Sequence, residues 1–222
     1  IGNTPVVRLT PKRDKVQVLI KLEGLNPSGS IKDVAALHMV LHAEKKGLLE
    51  EGDTIIESSS GNTGIALAMI GAVRGYNVVI VLPRSVSEER LKVLRAYGAE
   101  VILVSGDSED ARERVEDLVK EHPDYVYLNQ YDNEGNWRGH YFITGNEVWR
   151  QTNGNVTHLV AGMGTGGTLM GAGKRLKELD PEVRVIGVEP EKGQHIQGLK
   201  NMSESVTPKI YDESLLDDKF MV

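Results

Sequence analysis

At 222 residues, with 40% apolar and 26% charged side chains, the chain has the composition of a globular protein and enough apolar material for one large domain or two small ones. A formal charge of −6 with scattered Lys and Arg gives no footprint for nucleic acid, so any phosphate recognition must be local. The absence of cysteine excludes disulfides and thiolate-held zinc and favours a cytoplasmic setting, and no apolar run approaches the roughly 20 residues of a membrane span. No metal site is expected: His38 and His42 form an i, i+4 pair but lack the intervening Glu of an HExxH helix.

Short apolar runs alternate with longer amphipathic stretches, the pattern of an α/β protein with mostly parallel sheets. In chain order, the runs predict strands near Val16–Leu22, Thr54–Glu57, Asn77–Leu82, Glu100–Val104, Tyr125–Leu128, His158–Ala161 and Arg184–Glu189. Helices are predicted near Asp33–Lys46, Thr63–Arg74, Ser87–Tyr97, Ser108–Glu121, His140–Gln151 and Thr168–Leu179. The polar stretch Asp132–Asn136 reads as a turn and a domain break, with a second crossing near Lys32–Ala36. The chain starts Ile1-Gly2-Asn3 without Met and stops at Phe220-Met221-Val222, which reads as a segment cut at both ends.

Three segments share one layout: a buried strand, a loop of small polar residues, then a helix. In the first, Asn26, Pro27 and Gly29 force turns ahead of Ser30-Ile31-Lys32-Asp33. Lys32 then opens an apolar helix, either as a solvated first-turn residue or as an amine placed for imine chemistry. The second runs from Glu57 through Ser58, Ser59, Ser60, Gly61, Asn62 and Thr63 to Gly64, with hydroxyls and amides suited to a carboxylate at a helix N-terminus. The third, Gly162 to Thr168, lets backbone approach a phosphate while the helix dipole favours its charge. Gly162, Gly164 and Gly167 also spell GxGxxG, and Glu189 stands where a dinucleotide-binding fold places its ribose-binding acid. A dinucleotide-binding module using Gly162–Gly167 is therefore the rival, but it leaves Lys32 and the second loop unexplained.

Taken together, Gly2–Pro5, Lys21–Asp33, Ser60–Ala68, Glu89–Val104, His140–Thr152 and Gly164–Thr168 resemble the cysteine synthase family of pyridoxal-phosphate-dependent β-replacement enzymes, closest to its B-type branch. The resemblance implies the tryptophan synthase β-like fold: two doubly wound α/β domains with a cofactor cleft between them. Residues 1–36 with 138–222 would form the larger, cofactor-binding domain, lacking its C-terminal part, and 37–137 the smaller, mobile one. It further implies a homodimer acting on a small amino-acid substrate and a sulfur donor. The expected reaction is replacement on O-acetylserine or O-phosphoserine by sulfide or thiosulfate. Cystathionine β-synthase and serine/threonine dehydratase, of the same fold, are the alternatives.

By the same resemblance, Lys32 would bond the cofactor aldehyde and act as general base, and Asn62 would bond the ring hydroxyl. Gly164, Thr165, Gly166, Gly167 and Thr168 would hold the phosphate. Ser59, Ser60, Asn62, Thr63 and Gln130 would hold the substrate carboxylate. The family's Ser-Ser-Gly segment, whose serine contacts the pyridine nitrogen, has no counterpart before Val222. Lys200 is expected to attract an anionic substrate group or to be an ordinary loop lysine, His140 and Trp149 to be packing residues, and Arg90, Lys92 and Arg95 to form a solvated helix face.

Overall fold

The structure, a computed structural model, describes residues 1–9 and 16–222. Its centre is a four-stranded parallel sheet of β3 (Thr54–Ser58), β4 (Asn77–Pro83), β5 (Glu100–Val104) and β6 (Tyr125–Tyr127), in the order β5-β4-β3-β6. Because side chains alternate along a strand, β3 and β4 serve two cores at once. Ile55, Val78, Ile80 and Leu82 pack with α1 (Lys32–Lys45), α2 (Asn62–Arg74) and α3 (Glu88–Ala96). Ile56, Val79 and Val81 face the other way, onto Ala111, Val115 and Leu118 of α4 (Ser108–Glu121).

From β3 the chain steps outward to β4 and β5, then returns to place β6 on the far side of β3. The strand order reverses between β3 and β6, so the loops leaving these two strands open into one crevice, where ligands bind in sheets of this kind.

A second parallel sheet, β7 (His158–Gly162), β8 (Arg184–Glu189) and β9 (Asp218–Met221), lies later in the chain. The expected mostly parallel α/β architecture is therefore present. β9 carries no alternating apolar pattern and takes its pairing from β8, with Ile186 opposite Asp218. The strand ahead of Lys32 differs from expectation. It is β2 (Val18–Lys21), paired antiparallel with β1 (Val6–Leu9), and its Val18, Leu19 and Ile20 are exposed rather than buried.

The stretch Asp132–Asn136, expected as a turn, contains a helix start. Asn133 caps it by accepting from the Gly135 N–H at 2.8 Å. α5 (Glu134–Gly139) then runs through a π-helical turn, His140–Gly145, into α6 (Asn146–Gln151). Gly135 lies in the stretch read as a turn, yet close packing demands it and Gly139 alike. A Cβ on Gly135 would lie 2.6 Å from the His38 carbonyl oxygen, and one on Gly139 2.8 Å from that of Val34. α5 thus crosses α1 at backbone contact and sets the position of the turn carrying Lys32. The expected Thr168–Leu179 helix likewise begins with a π-helical turn, Leu169–Gly173, before α7 (Lys174–Leu179).

Lys21 fastens the other approach to Lys32. Its Nζ donates to Glu147 Oε2 at 2.6 Å, the Thr4 carbonyl at 2.9 Å and Gln151 Oε1 at 3.1 Å. Glu147 also accepts from the Asn3 N–H at 2.5 Å. The pair is 11% and 8% exposed, and Glu23 Oε1 stands farther off at 3.7 Å, so removing Glu147 takes away the close partner of a largely buried ammonium. Glu147→Ala is expected to cost about 3 kcal/mol in urea unfolding. The apolar double variant Lys21→Met, Glu147→Leu should recover most of that loss; a single variant as stable as the parent would contradict the assignment.

Candidate active site

The crevice is a cleft of about 1150 Å³ lined by Lys32, the Ser58–Thr63 turn, Gln130 and Tyr131, Gly164 and Thr165, and the stretch Gln194–Asn201. All three loops singled out in the sequence reach it.

Lys32 opens α1, reached by the turn at Gly29 with φ +90°. Its backbone N–H donates to Ser30 Oγ at 3.2 Å, while Asp33 accepts from the Ser28 N–H at 2.7 Å and from the Ser28 hydroxyl. Asp33 therefore shapes the turn and does not pair with its neighbour's ammonium. Lys32 Nζ has no ion pair or hydrogen bond among the described residues, and the packed atoms around it, by stripping water from the charge, push its pKa below the ordinary 10.5. A lowered pKa makes an amine more readily available as a nucleophile and a base.

Across the cleft, α2 begins at Asn62 with glycine at its N-cap and no side-chain cap, leaving the positive end of its dipole facing the opening. Ser60 and Asn62 line the cleft with side chains that meet no described partner. Ser59 has a different role: its Oγ accepts from the Gly61 and Gly64 N–H groups at 3.3 and 3.0 Å, which folds the turn. Thr63 donates to Gln130 Oε1 at 2.8 Å, and Gln130 Nε2 donates to the Ser58 carbonyl at 3.3 Å. Thr63 and Gln130 thus lock the β3 and β6 loops together at the point where the strand order reverses.

In the glycine loop, Gly166 takes φ +84°, a conformation that favours glycine. The N–H groups of Gly164, Thr165 and Gly166 meet no described acceptor. Gly164 and Thr165 line the cleft, and Gly166, Gly167 and Thr168 do not. A Cβ on Gly167 would strike Asn136 Oδ1, a buried acceptor with no described partner, and one on Gly166 would meet the ring of Tyr211, whose hydroxyl is likewise without a described partner. The free amides and the Thr165 hydroxyl, on a loop whose close packing admits only glycine, fit a phosphate group.

Three buried residues complete the site and were missed or undervalued in the sequence. Asn136 Nδ2 donates to the Gln130 carbonyl at 2.7 Å and to Thr165 Oγ1 at 3.0 Å, joining the carboxylate-type and phosphate-type loops. His140, expected as packing, is indeed buried, with Nδ1 2.9 Å from Thr144 Oγ1 and Nε2 3.4 Å from Thr168 Oγ1. Burial, then Lys32, then His38 lower its pKa to about 3, so the imidazole is neutral beside Lys32. Glu57 lies under the Ser58 turn, its Oε1 3.1 Å from the Ser58 N and its Oε2 3.3 Å from the Gln130 N. Only an acid inside an otherwise apolar strand signalled Glu57; no local pattern marked Asn136. Glu189, the ribose-binding acid of the dinucleotide reading, instead accepts from the Met202 N–H at 2.9 Å.

A two-sided α/β sheet, a lysine without a counter-ion and a glycine loop with free amides meet in one cleft, an arrangement that fits the class of enzymes whose cofactor carries an aldehyde and a phosphate. Residues 1–215 match the family model described as pyridoxal-phosphate dependent enzyme, and the chain belongs to that family. It is 48% identical to a cysteine synthase of Aquifex aeolicus, over all of this chain and 71% of that protein. It is 46% identical to cysteine synthase B of Pseudomonas aeruginosa, over 98% of this chain and 74% of the relative. Its fold superposes on the crystal structure of O-ureido-L-serine synthase with a TM-score of 0.93 at 40% identity, over all of this chain and 73% of that one. The cofactor is pyridoxal phosphate, and no described helix is long and apolar enough to cross a membrane.

Glu57 also gives the site a pH signature. Burial, only partly offset by the N–H groups of Ser58, Gln130 and Asn129, raises its pKa from 4.5 to about 8. The unfolded chain loses this proton first, so the stabilising contribution is complete below the unfolded value of 4.5 and lost as pH rises through about 8. His140, shifted the opposite way, contributes stability above 6.5 that is lost as pH falls toward about 3, and it cancels in a comparison of variants. Subtracting the unfolding free energy of Glu57→Gln from that of the parent is therefore expected to give a difference that declines between about pH 4.5 and 8. A flat difference would contradict the buried, neutral acid.

Proposed function

We propose that the chain carries out β-replacement on an activated serine, O-acetylserine or O-phosphoserine, with sulfide or thiosulfate, giving cysteine or S-sulfocysteine. The observation that carries this reading is a lysine amine without a counter-ion facing an uncapped helix N-terminus across one cleft. The names of the relatives agree with it.

In this reading Lys32 is the point of cofactor attachment, Asn62 bonds the ring hydroxyl, and the loop Gly164, Thr165, Gly166, Gly167 and Thr168 receives the phosphate. When bound, pyridoxal phosphate supplies a conjugated ring that stabilises negative charge at the substrate Cα, so that a leaving group can depart from Cβ. The α2 N-terminus with Ser60, Asn62 and Thr63 binds the substrate carboxylate, supported from behind by Ser59 and Gln130. That grip orients the Cα–H bond toward Lys32 Nζ, which takes the proton and can return one. Desolvation serves this step because a permanently protonated amine cannot accept a proton. Neutral His140 helps by adding no positive charge and by steadying Thr168.

The mobile unit in this reading is 37–137, closing on 1–36 with 138–222, with α1 and the helical run from Glu134 to Gln151 as the two crossings. Closure would exclude water from a reactive intermediate. A homodimer is supported by the exposed apolar face of the β1–β2 pair, including Val7, Val18 and Ile20, and a cytoplasmic setting by the absence of cysteine. Lys200, 4.5 Å over the Tyr131 ring, stands at the cleft wall where an anionic serine ester or thiosulfate would enter.

The test is product analysis of the protein loaded with pyridoxal phosphate. O-acetylserine and sulfide are expected to yield cysteine, with Lys32→Ala lowering kcat by about 10³-fold or more. Preferential use of homocysteine would make it a cystathionine synthase, and keto-acid release without sulfide a dehydratase. Turnover indifferent to Lys32 would overturn the reading.

A further inference from the structure

Arg90 was expected on a solvated helix face, and the structure turns it inward. From the first turn of α3, its Nη1 donates to the Ser60 carbonyl at 2.7 Å. The Gln197 amide lies against the guanidinium, and assigned with its oxygen on that side, the orientation that pairs donor with acceptor, it accepts from Nη1 at 2.8 Å and from Nη2. Arg90 has no carboxylate partner among the described residues, and neighbouring Glu88 pairs with Lys92 at 3.5 Å. Its charge is directed at a backbone carbonyl and an amide, both on the cleft wall.

The two ends of this bridge have distinct jobs. The Ser60–Gly61 peptide is held at both poles, its carbonyl by Arg90 and its N–H by Ser59 Oγ at 3.3 Å. A run of three serines and a glycine has many alternative turns, and fixing that one peptide selects the turn that presents the α2 N-terminus to the cleft. Gln197 belongs to a segment lying on the glycine loop. The Lys200 N–H donates to the Met163 carbonyl at 2.7 Å, and the Gly198 carbonyl oxygen sits 2.7 Å from where a Gly164 Cβ would stand. Arg90 therefore ties the turn facing the substrate carboxylate to the cover of the loop facing the phosphate.

We propose that Arg90 is a positioning residue for substrate, acting through the Ser60–Gly61 peptide and its strap to Gln197. This rests on the reading of the cleft as an amino-acid β-replacement site. The guanidinium is suited to the task because its fork of fixed donors reaches two acceptors at once, which a lysine ammonium on a flexible stem does less well.

The experiment compares Arg90→Ala and Arg90→Lys with the parent, each as the full chain loaded with pyridoxal phosphate. In Arg90→Ala the KM for O-acetylserine is expected to rise about tenfold or more, with kcat changed far less and the cofactor absorbance intact. Arg90→Lys should fall between, and added guanidinium ion should lower the KM of Arg90→Ala. Hydrogen exchange of cofactor-free protein supplies the second readout. Amides of 58–64 should exchange about tenfold faster in Arg90→Ala, while those of β4 are unaltered. Unchanged KM together with unchanged exchange at 58–64 would overturn the proposal, as would a uniform gain in exchange over the whole chain. If the parent itself does not use O-acetylserine, the functional reading fails, and the exchange comparison still decides whether Arg90 orders the turn.

Discussion

The structure depends on keeping one ammonium group without a partner. Lys32 sits among packed atoms with no carboxylate to hold its charge, and the nearest acid in sequence, Asp33, is committed to the Ser28 turn. An ion pair there would stabilise the protonated amine and remove the base. Much of the surrounding architecture serves this exclusion: α5 crosses α1 closely enough to require Gly135 and Gly139, and His140 is buried as a neutral ring beside the lysine. Lys21 is the contrast: the fold surrounds its ammonium with Glu147, Glu23 and two carbonyl oxygens.

The second constraint is topological. Reversal of strand order between β3 and β6 brings together loops distant in sequence, and Gln130 joins them through Thr63, Ser58 and Glu57. Asn136 extends the same network to Thr165. The carboxylate-type and phosphate-type halves of the cleft are therefore one hydrogen-bonded unit, in which a shift at either loop is felt at the other. Glu57 fits this account as a buried acid that ties two loops by accepting their amides.

Much of the fold was legible because it rests on local periodicity. The strands β3, β4, β5, β7 and β8 and the helices α1 to α4 follow from apolar runs and caps, and the loops bearing Lys32, Asn62 and Gly164 follow from their glycine and hydroxyl content. What escaped is what tertiary contact decides. Gly135 fell in a stretch read as a turn, and Gly139 drew no reading, because their purpose, backbone contact with α1, has no local signature. β9 exists through pairing with β8, and β2 lies in an exposed antiparallel pair that a short apolar run cannot distinguish from a buried strand. In the site, Arg90 looked like any helix-face arginine, since its two acceptors are distant in sequence, and Asn136 lay inside a stretch that composition marks as turn.

The most direct test of the central claim is the titration of the Lys32 amine in the cofactor-free protein, followed by nitrogen NMR of labelled lysine with Lys32→Met to assign the signal. The account predicts a midpoint below the ordinary 10.5, set apart from the other lysines. A Lys32 that titrates at or above that value would mean its charge is compensated, and would contradict the premise on which the site is built.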